Sequence, residues 1–258
     1  MTASEGPDGR LFLTDDGQPR AFVIVSSARS GSNLLVAYLR QIQRAACFGE
    51  IFRGEFPTKP GWDKLVRRLD LPESASPLHR DDLTAWWELV LGRGLRHRRW
   101  LGAKIFYYHR EGDRIWTRFG ESDHRVLHLW RDATLDQYVS RLLAVSSGEW
   151  KAGGGGGEEP RVRFDPVDYL RYREGLREGF MRTRSRYGET GRYVELEYRQ
   201  LSDHLFVGDL LELLFGKRIA VEETLRRQRG KPKLEYLLNP AEAEPFVGDA
   251  LERGFVGA

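Results

Sequence analysis

The sequence predicts an α/β protein built in three layers, α/β/α, with helices on both faces of a mostly parallel central sheet. Segments with strand and helix patterns alternate along the chain, which is typical of such sheets. Residues 22–25 form a run too apolar for a half-exposed strand, and helix-spaced apolar residues follow it after a short polar turn. Ligands of these sheets bind beyond the carboxyl ends of the strands, so we expect a site where the first strand ends.

The predicted elements follow one another in a simple order. Residues 1–20 are polar and predict a flexible leader, and residues 21–258 predict a single domain. The strand over 22–25 leads into a helix that begins near Ser32, because the apolar residues after it recur at helical spacing. The glycine run over 153–157 has no side chains to bury and predicts a mobile surface loop. The other elements are a helix over 80–95, strands over 100–108 and 125–130, a helix over 134–145, a helical stretch around 169–176, a strand over 192–198 and a helix over 200–215.

Charge and composition restrict the classes of function. The 41 Lys and Arg residues against 38 Asp and Glu residues give a net charge of +3, too small for wholesale nucleic-acid binding but suited to an anionic small molecule. Arginine outnumbers lysine, and guanidinium groups bind phosphate and sulfate bidentately. The lone cysteine, Cys47, excludes an internal disulfide and a cysteine-cluster metal site. No run approaches the roughly 20 apolar residues of a membrane span, so we expect a soluble cytoplasmic protein.

The turn after the first strand, SSARSGSN over residues 26–33, has the features of an anion site. A helix N-terminus presents unpaired N–H groups and the positive end of the helix dipole. Gly31 permits close approach of the backbone to a ligand. Ser30 and Ser32 add hydroxyl donors, and Arg29 adds a positive charge. The turn is similar to a phosphate cradle, and a tight turn with a solvated arginine stays open as the alternative.

Two familiar phosphate loops do not fit this turn. The nucleoside-triphosphate loop needs G-x-x-x-x-G-K-[ST], a pattern that residues 26–33 lack. A cysteine-based phosphatase loop is excluded because Cys47 lies outside the turn. We therefore expect a P-loop-like fold without the loop of ordinary ATPases and kinases.

One stretch of the chain resembles a known family. The run Arg29-Ser30-Gly31-Ser32-Asn33-Leu34-Leu35 is similar to the 5′-phosphosulfate loop, R-S-G-[ST]-[ST]-L-L, of sulfotransferases that use 3′-phosphoadenosine 5′-phosphosulfate (PAPS). The chain thus resembles PAPS-dependent sulfotransferases, in particular the bacterial carbohydrate type that includes the Nod-factor and trehalose enzymes. The resemblance implies a catalytic role for Arg29 and donor binding by Arg29, Ser30, Gly31, Ser32 and Asn33. Four further stretches follow in the family's order.

The first two of these stretches concern the acceptor. CFGEIFR over 47–53 is similar to the family's G-E-[IYF]-F segment, which implies that Glu50 is the general base for the acceptor hydroxyl. An exposed loop glutamate is the alternative. LGAKIFYYH over 101–109 resembles the family's G-x-K-[IL]-x-[YW] strand. Lys104 then either projects into the site or snorkels at the edge of the sheet, and the second orientation is favoured.

The other two stretches concern the 3′-phosphate of the donor. HLWRDATLDQYVSRLLA over 128–144 resembles the segment that binds this phosphate, which implies roles for Arg131 and Ser140. A surface pair of Arg131 with Asp132 is the alternative. LRRQRGKPKLEYLLNPAEAEPFV over 225–247 resembles a C-terminal stretch whose basic loop closes over the nucleotide. The resemblance implies binding by Arg227, Arg229 and Lys231, whereas a solvated charge run is the alternative.

The function that the resemblance implies is transfer of a sulfuryl group from PAPS to a hydroxyl, without a metal and with adenosine 3′,5′-bisphosphate (PAP) as product. By analogy with phosphoryl transfer, positioning and charge stabilisation carry the rate. The expected acceptor is a small molecule, a carbohydrate or another natural product. His109 and His128 stay open as bases, although histidines on strands are more often structural.

Two other classes compete with this interpretation. A P-loop-like kinase or non-catalytic nucleotide sensor would need a magnesium-binding carboxylate at a strand end and a lysine in the turn. A polyanion-binding module would use the basic run RGLRHRRW over 93–100, which a solvated turn also explains. We expect no nucleic-acid partner, and a homodimer stays open.

Acceptor specificity is expected from residues 54–98 and 148–190, which match no named motif. Their aromatic side chains either stack on the acceptor or belong to the core, and the core is favoured for Trp86 and Trp87. The set comprises Trp62, Trp86, Trp87, Trp150, Tyr169 and Tyr172.

Overall fold

The structure is a computed structural model. It describes residues 4–5, 11–12, 20–96, 98–109, 112–121, 124–148, 160–216, 220–222 and 232–251. In the predicted leader, the described strands β1 (Ser4–Glu5) and β2 (Leu11–Phe12) pair antiparallel. The predicted glycine loop at 153–157 and the predicted donor residues Arg227, Arg229 and Lys231 lie outside the described residues. The leader, the single domain and the glycine loop therefore stay predictions.

A five-stranded parallel sheet carries the fold, in the order β4-β5-β3-β6-β7. Its strands are β3 (Arg20–Ser26), β4 (Ala45–Cys47), β5 (Trp100–Phe106), β6 (Arg125–Trp130) and β7 (Tyr193–Glu197). The helices are α1 (Ser32–Leu39), α2 (Pro60–Leu69), α3 (Ala75–Asp81), α4 (Leu83–Gly94), α5 (Ile115–Glu121), α6 (Thr134–Ser147), α7 (Pro166–Tyr187), α8 (His204–Phe215) and α9 (Pro240–Ala243). Short 3₁₀ helices cover Phe56–Thr58, Tyr198–Ser202, Lys233–Tyr236 and Glu244–Phe246. Among the described residues, no helix is both long and apolar enough to cross a bilayer.

Side chains of β3 alternate between two separate cores, as a strand buried on both faces requires. Phe22 and Ile24 pack in one core with residues of α1 and α8. Val23 and Val25 pack in the other core with residues of α4 and α5. Helices therefore cover both faces of the sheet, and the predicted three-layer α/β architecture is confirmed.

The parallel register brings the carboxyl ends of the central strands to one edge. Ser26, the last residue of β3, pairs with Phe106 of β5 and with Leu129 of β6. The loops that follow these three strands consequently leave the sheet side by side. This is the edge at which the sequence predicts a site.

Two predicted helices begin later than expected, at side-chain caps. The helix predicted over 80–95 begins as α4 after Asp82, whose carboxylate accepts a hydrogen bond from a first-turn N–H group. The helix predicted from residue 200 is a 3₁₀ turn followed by α8, because Asp203 accepts bonds from the first N–H groups of α8. In both cases an aspartate carboxylate caps the main helix and separates it from a shorter helical element before it.

Most of the aromatic residues considered for the acceptor belong to the core. Trp86 and Trp87 are fully buried on α4, which confirms their expected place in the core. Trp62 and Tyr169 are buried as well. Trp150 lies outside the described residues, and Tyr172 is partly buried.

Candidate active site

The turn between β3 and α1 leaves the N-terminus of α1 open to a ligand. Because α1 begins at Ser32, its first N–H groups have no partners within the helix. Gly31 precedes it with a left-handed φ of 89° and has no side chain with which to cap the helix. A Cβ at this glycine would lie 2.3 Å from Cδ2 of Tyr198. Gly31 is therefore required both by the backbone conformation and by the close approach of this ring.

Hydrogen bonds to buried side chains fix the shape of the turn. Ser30 Oγ donates to the Ser27 carbonyl at 2.8 Å, so this hydroxyl closes the turn. Gln137 of α6 donates through Nε2 to Ser27 Oγ and to the Ala28 carbonyl, each at 2.6 Å. Ser30 and Gln137 are both buried. The Ser30 hydroxyl is thus used within the turn, its donor-binding role stays a prediction, and Gln137 holds the turn although the sequence interpretation did not name it.

Two predicted donor residues contact each other across the edge of the sheet. Arg29 Nε donates to Ser140 Oγ at 2.9 Å, although 111 residues separate them in the chain. The bond joins the turn to α6, and the donor-binding roles of both residues stay predictions. It holds a cationic side chain beside the open N-terminus of α1.

Arg131 adds a second guanidinium next to the turn. Its Nη2 donates to Asp136 Oδ2 at 3.0 Å, and its guanidinium lies 4.8 Å from the ring centroid of Tyr198, the ring that packs on Gly31. Its Nε is buried, and no atom of the described residues accepts a bond from it. An unpaired guanidinium N–H beside an uncapped helix N-terminus fits a bound anion. The partner is Asp136 and not the neighbouring Asp132, which bonds to another arginine.

Glu50 is connected to the same turn through Lys104. The ammonium of Lys104 projects from β5 and is only 3% exposed. Its Nζ lies 3.2 Å from Glu50 Oε1, 2.7 Å from Asn33 Oδ1 and 3.3 Å from Ser32 Oγ. The side chain of Lys104 therefore projects toward the turn and Glu50. The favoured prediction, that it snorkels at the edge of the sheet, is wrong. The other oxygen of Glu50 lies 3.4 Å from Arg53 Nη1, and the side chain stays 27% exposed, as access by an acceptor requires.

The two histidines considered as bases have other roles. Burial lowers the pKa of His128 to about 3, and this ring bonds to two buried tyrosine hydroxyls, so it belongs to the core. Burial lowers the pKa of His109 to about 4, with the Glu50 carboxylate opposing the shift. Nδ1 of His109 accepts the Phe106 N–H at 3.3 Å, so the neutral ring carries its proton on Nε2. His109 can thus donate a hydrogen bond through Nε2, and the assignment of the base to Glu50 stays a prediction.

One exposed aromatic ring lies next to His109. Tyr108 follows β5, and 61% of its surface is exposed. Its ring packs edge-on against His109, with the centroids 4.9 Å apart. Desolvation and the Glu50 carboxylate raise the pKa of Tyr108 to about 12. Within the described ranges, no three His, Cys, Asp or Glu side chains are grouped as a metal site would require.

The missed residues carried weak signals in the sequence. Gln137 lies within the stretch that resembles the 3′-phosphate segment, and Tyr198 is the last residue of a predicted strand. Tyr108 is the last residue of the strand predicted over 100–108 and carries no further signal. The two ends of the basic run at 93–100 belong to regular elements of the fold. Gly94 is buried on α4, and Trp100 is buried on β5.

Comparisons with known proteins found similarity to sulfotransferases. The family model described as Stf0 sulphotransferase matches residues 21–110, which include the turn, Glu50 and Lys104. A search of curated protein sequences found no match. A sulfotransferase from Alicyclobacillus acidocaldarius superposes with a TM-score of 0.54 at 16% identity, over 92% of this chain and 95% of that one, and so shares the fold.

Two further solved structures are sulfotransferase domains. The domain from a Synechococcus olefin synthase has 17% identity and a TM-score of 0.48, over 85% of this chain and 81% of that one. The domain from the curacin biosynthetic pathway has 14% identity and a TM-score of 0.49, over 92% of this chain and 89% of that one.

Proposed function

We propose that this chain, a sulfotransferase whose residues 21–110 match the Stf0 family, transfers the sulfuryl group of PAPS to a hydroxyl of a small-molecule acceptor. The observation that carries the proposal is the pair of links across the turn. Arg29 is tied to Ser140, and Lys104 ties the turn to Glu50. Donor-binding and proton-accepting groups are thereby held around one open helix N-terminus.

On this proposal the turn binds the sulfated end of the donor. The first N–H groups of α1 donate to the 5′-phosphate, and Arg29 stabilises the charge that grows on the bridging and sulfuryl oxygens. PAPS supplies an activated sulfuryl group and leaves as PAP. Lys104 holds Glu50 and Asn33 in place, and Glu50 takes the proton of the acceptor hydroxyl.

On this proposal the segment after β6 binds the 3′-phosphate of the donor. Arg131 has an unsatisfied Nε–H beside the turn, and Ser140 orients Arg29 while its own hydroxyl hydrogen stays available for a phosphate. Arg227, Arg229 and Lys231 are proposed to add charge to this group. Their part in the proposal rests on the resemblance of residues 225–247.

The acceptor proposed is a carbohydrate or another natural product. The exposed ring of Tyr108 beside Glu50 offers a surface on which a sugar or aromatic ring can stack. A cytoplasmic location belongs to the same proposal, because the lone cysteine, Cys47, is free and buried and needs no oxidising compartment.

Calorimetric titration tests the donor assignment directly. We expect PAP to bind without magnesium, and ATP with magnesium to bind at least tenfold more weakly. The Arg29→Ala variant should lose most of the PAP affinity, whereas the Lys64→Ala variant, which removes an exposed charge on α2, should retain it. Preference for ATP with magnesium would instead favour the kinase-like alternative.

A further inference from the structure

His79 is a buried histidine that the proposed mechanism has not used. It lies on α3, within the stretch 54–98 that matches no named motif, and it is fully buried. Its Nε2 lies 2.8 Å from the carbonyl oxygen of Ile51. A carbonyl oxygen can only accept a hydrogen bond, so Nε2 carries a proton and is the donor. The imidazole therefore holds the backbone one residue after Glu50.

The carbonyl of Ile51 depends on this bond. Ile51 is buried, and no other atom of the described residues donates to its carbonyl oxygen. A buried carbonyl that loses its partner bears the full cost of desolvation. The loop over 49–53 is therefore stabilised in the conformation in which Ile51 meets His79.

Aromatic rings fix the orientation of the histidine itself. Its ring stands perpendicular to the ring of Trp86, with the centroids 4.6 Å apart. The ring of Trp62 lies 5.8 Å away at an angle of 75°, and the ring of Phe56 lies 6.1 Å away. An imidazole packed on several sides keeps one orientation, so the position of its donor nitrogen is set by the core.

The same aromatic core holds the next residue of the loop. Phe52 is fully buried, and its ring centroid lies between 5.2 and 6.1 Å from those of three other aromatic residues. These residues are Trp86, Trp87 and Phe119. The side chain of Glu50, in contrast, is 27% exposed. The candidate base thus projects from a backbone that is fixed on its C-terminal side by His79 and Phe52.

We propose that His79 is a positioning residue for the transfer reaction and that it holds Glu50 through the carbonyl of Ile51. This inference rests on the proposed function. Two anchors then act on Glu50, because Lys104 lies against its carboxylate and His79 bonds to the backbone beside it. The histidine contacts neither donor nor acceptor and exchanges no proton in the reaction. It keeps the carboxylate where the acceptor hydroxyl approaches, and a displacement of about 1 Å can lower a rate about 100-fold.

Two substitutions at His79 separate the hydrogen bond from the packing of the ring. His79→Phe keeps a ring and removes the donor, whereas His79→Gln keeps an N–H donor in the place of Nε2. We expect transfer of label from ³⁵S-PAPS to a metabolite extract to fall about 10- to 100-fold in His79→Phe. In His79→Gln the transfer should stay within about threefold of wild type. The PAP affinity of both variants should stay within about twofold of wild type, because the turn before α1 is left intact.

His124→Phe is the matched control. His124 is a second buried histidine of the same aromatic core, and its Nε2 accepts a hydrogen bond from Trp87 Nε1 at 2.7 Å. Its substitution should lower the melting temperature and leave both the transfer rate and the PAP affinity unchanged. If His79→Phe does not fold, His79→Asn takes its place. The amide of asparagine is one methylene shorter than that of glutamine and does not reach Ile51, so the same loss of transfer is expected.

A double variant distinguishes positioning from general damage to the fold. If His79 acts through Glu50, adding His79→Phe to Glu50→Gln should lower the residual transfer no further. An equal loss in both backgrounds would overturn the inference, and so would transfer at the wild-type rate by His79→Phe while the wild-type protein is active. If the wild-type protein itself transfers no label, the proposed function fails first, and this inference fails with it.

Discussion

Lys104 Nζ lies 3.2 Å from Glu50 Oε1, so one buried ammonium joins the candidate base to the turn before α1. An ammonium held between these groups keeps them in position for the reaction. We therefore expect Lys104→Met to lower kcat/KM by about 100-fold, because Glu50 and Asn33 lose the group that holds them. The measurement is steady-state kcat/KM, with PAP affinity as a check on the fold.

The control for this prediction is Lys64→Met, which removes an exposed lysine on α2. Its kcat/KM should match that of the wild type. If Lys104→Met kept wild-type activity, the lysine would not position Glu50 for the reaction.

Substitutions of Arg29 and Ser140 should differ in how strongly they lower kcat and PAP affinity. Arg29→Ala removes the cation itself, and we expect kcat to fall by about 100- to 1,000-fold. Ser140→Ala removes one oriented hydrogen bond and should cost about tenfold in PAP affinity. Steady-state kinetics and calorimetry on both variants check the order. Equal and small effects would show that the pair is an incidental surface contact.

Gly31→Ala should disturb both the turn and its neighbour. The backbone φ of 89° disfavours any side chain, and the new Cβ would meet the Tyr198 ring at 2.3 Å. We expect a loss of at least about 1–2 kcal/mol in unfolding free energy, together with weaker PAP binding. Gly175→Ala on α7 is the control, because nothing lies within 4 Å of its Cβ and the change should stabilise the helix by about 0.5–1 kcal/mol. A Gly31→Ala variant as stable as wild type would contradict the described turn.

Acid should destabilise the fold through three buried histidines. Burial lowers the pKa of His109 to about 4 and those of His124 and His128 to about 3, below the usual value of 6.5. Their contribution is therefore present above pH 6.5 and is lost as the pH falls toward 3, because the unfolded chain binds the protons first. Near pH 5 the slope should approach about 4 kcal/mol per pH unit for three groups. Urea unfolding at several pH values between 5 and 7 measures it, and a flat stability would refute the neutral buried state.

The sequence pattern located the first strand, the turn and the start of α1, because these features are local. The continuous apolar run over 22–25 follows from burial of β3 on both faces, and the helical spacing after Ser32 follows from burial of one face of α1. The segment from 54 to 79 was not divided into elements for a physical reason. The N-cap residues of α2 and α3 form no side-chain capping bond, and the residue that ends α2, Asp70, is left-handed although it is not glycine.

The orientation of Lys104 could not come from sequence. β5 is buried along its whole length, so only the positions of Glu50 and Asn33 show why a lysine is tolerated there. The contact of Arg29 with Ser140 joins two residues that the resemblance assigned to different parts of the donor, and such a contact over 111 residues also needs the fold.

The most direct test of the account is transfer of label from ³⁵S-PAPS to a metabolite extract by the wild-type protein and by Glu50→Gln. We expect the wild-type protein to produce a labelled small molecule, and Glu50→Gln to bind PAP normally while producing almost none. Transfer at the wild-type rate by Glu50→Gln would remove Glu50 from the mechanism. Absence of labelled product with the wild-type protein, together with transfer from γ-³²P-ATP, would contradict the central claim that this site moves a sulfuryl group.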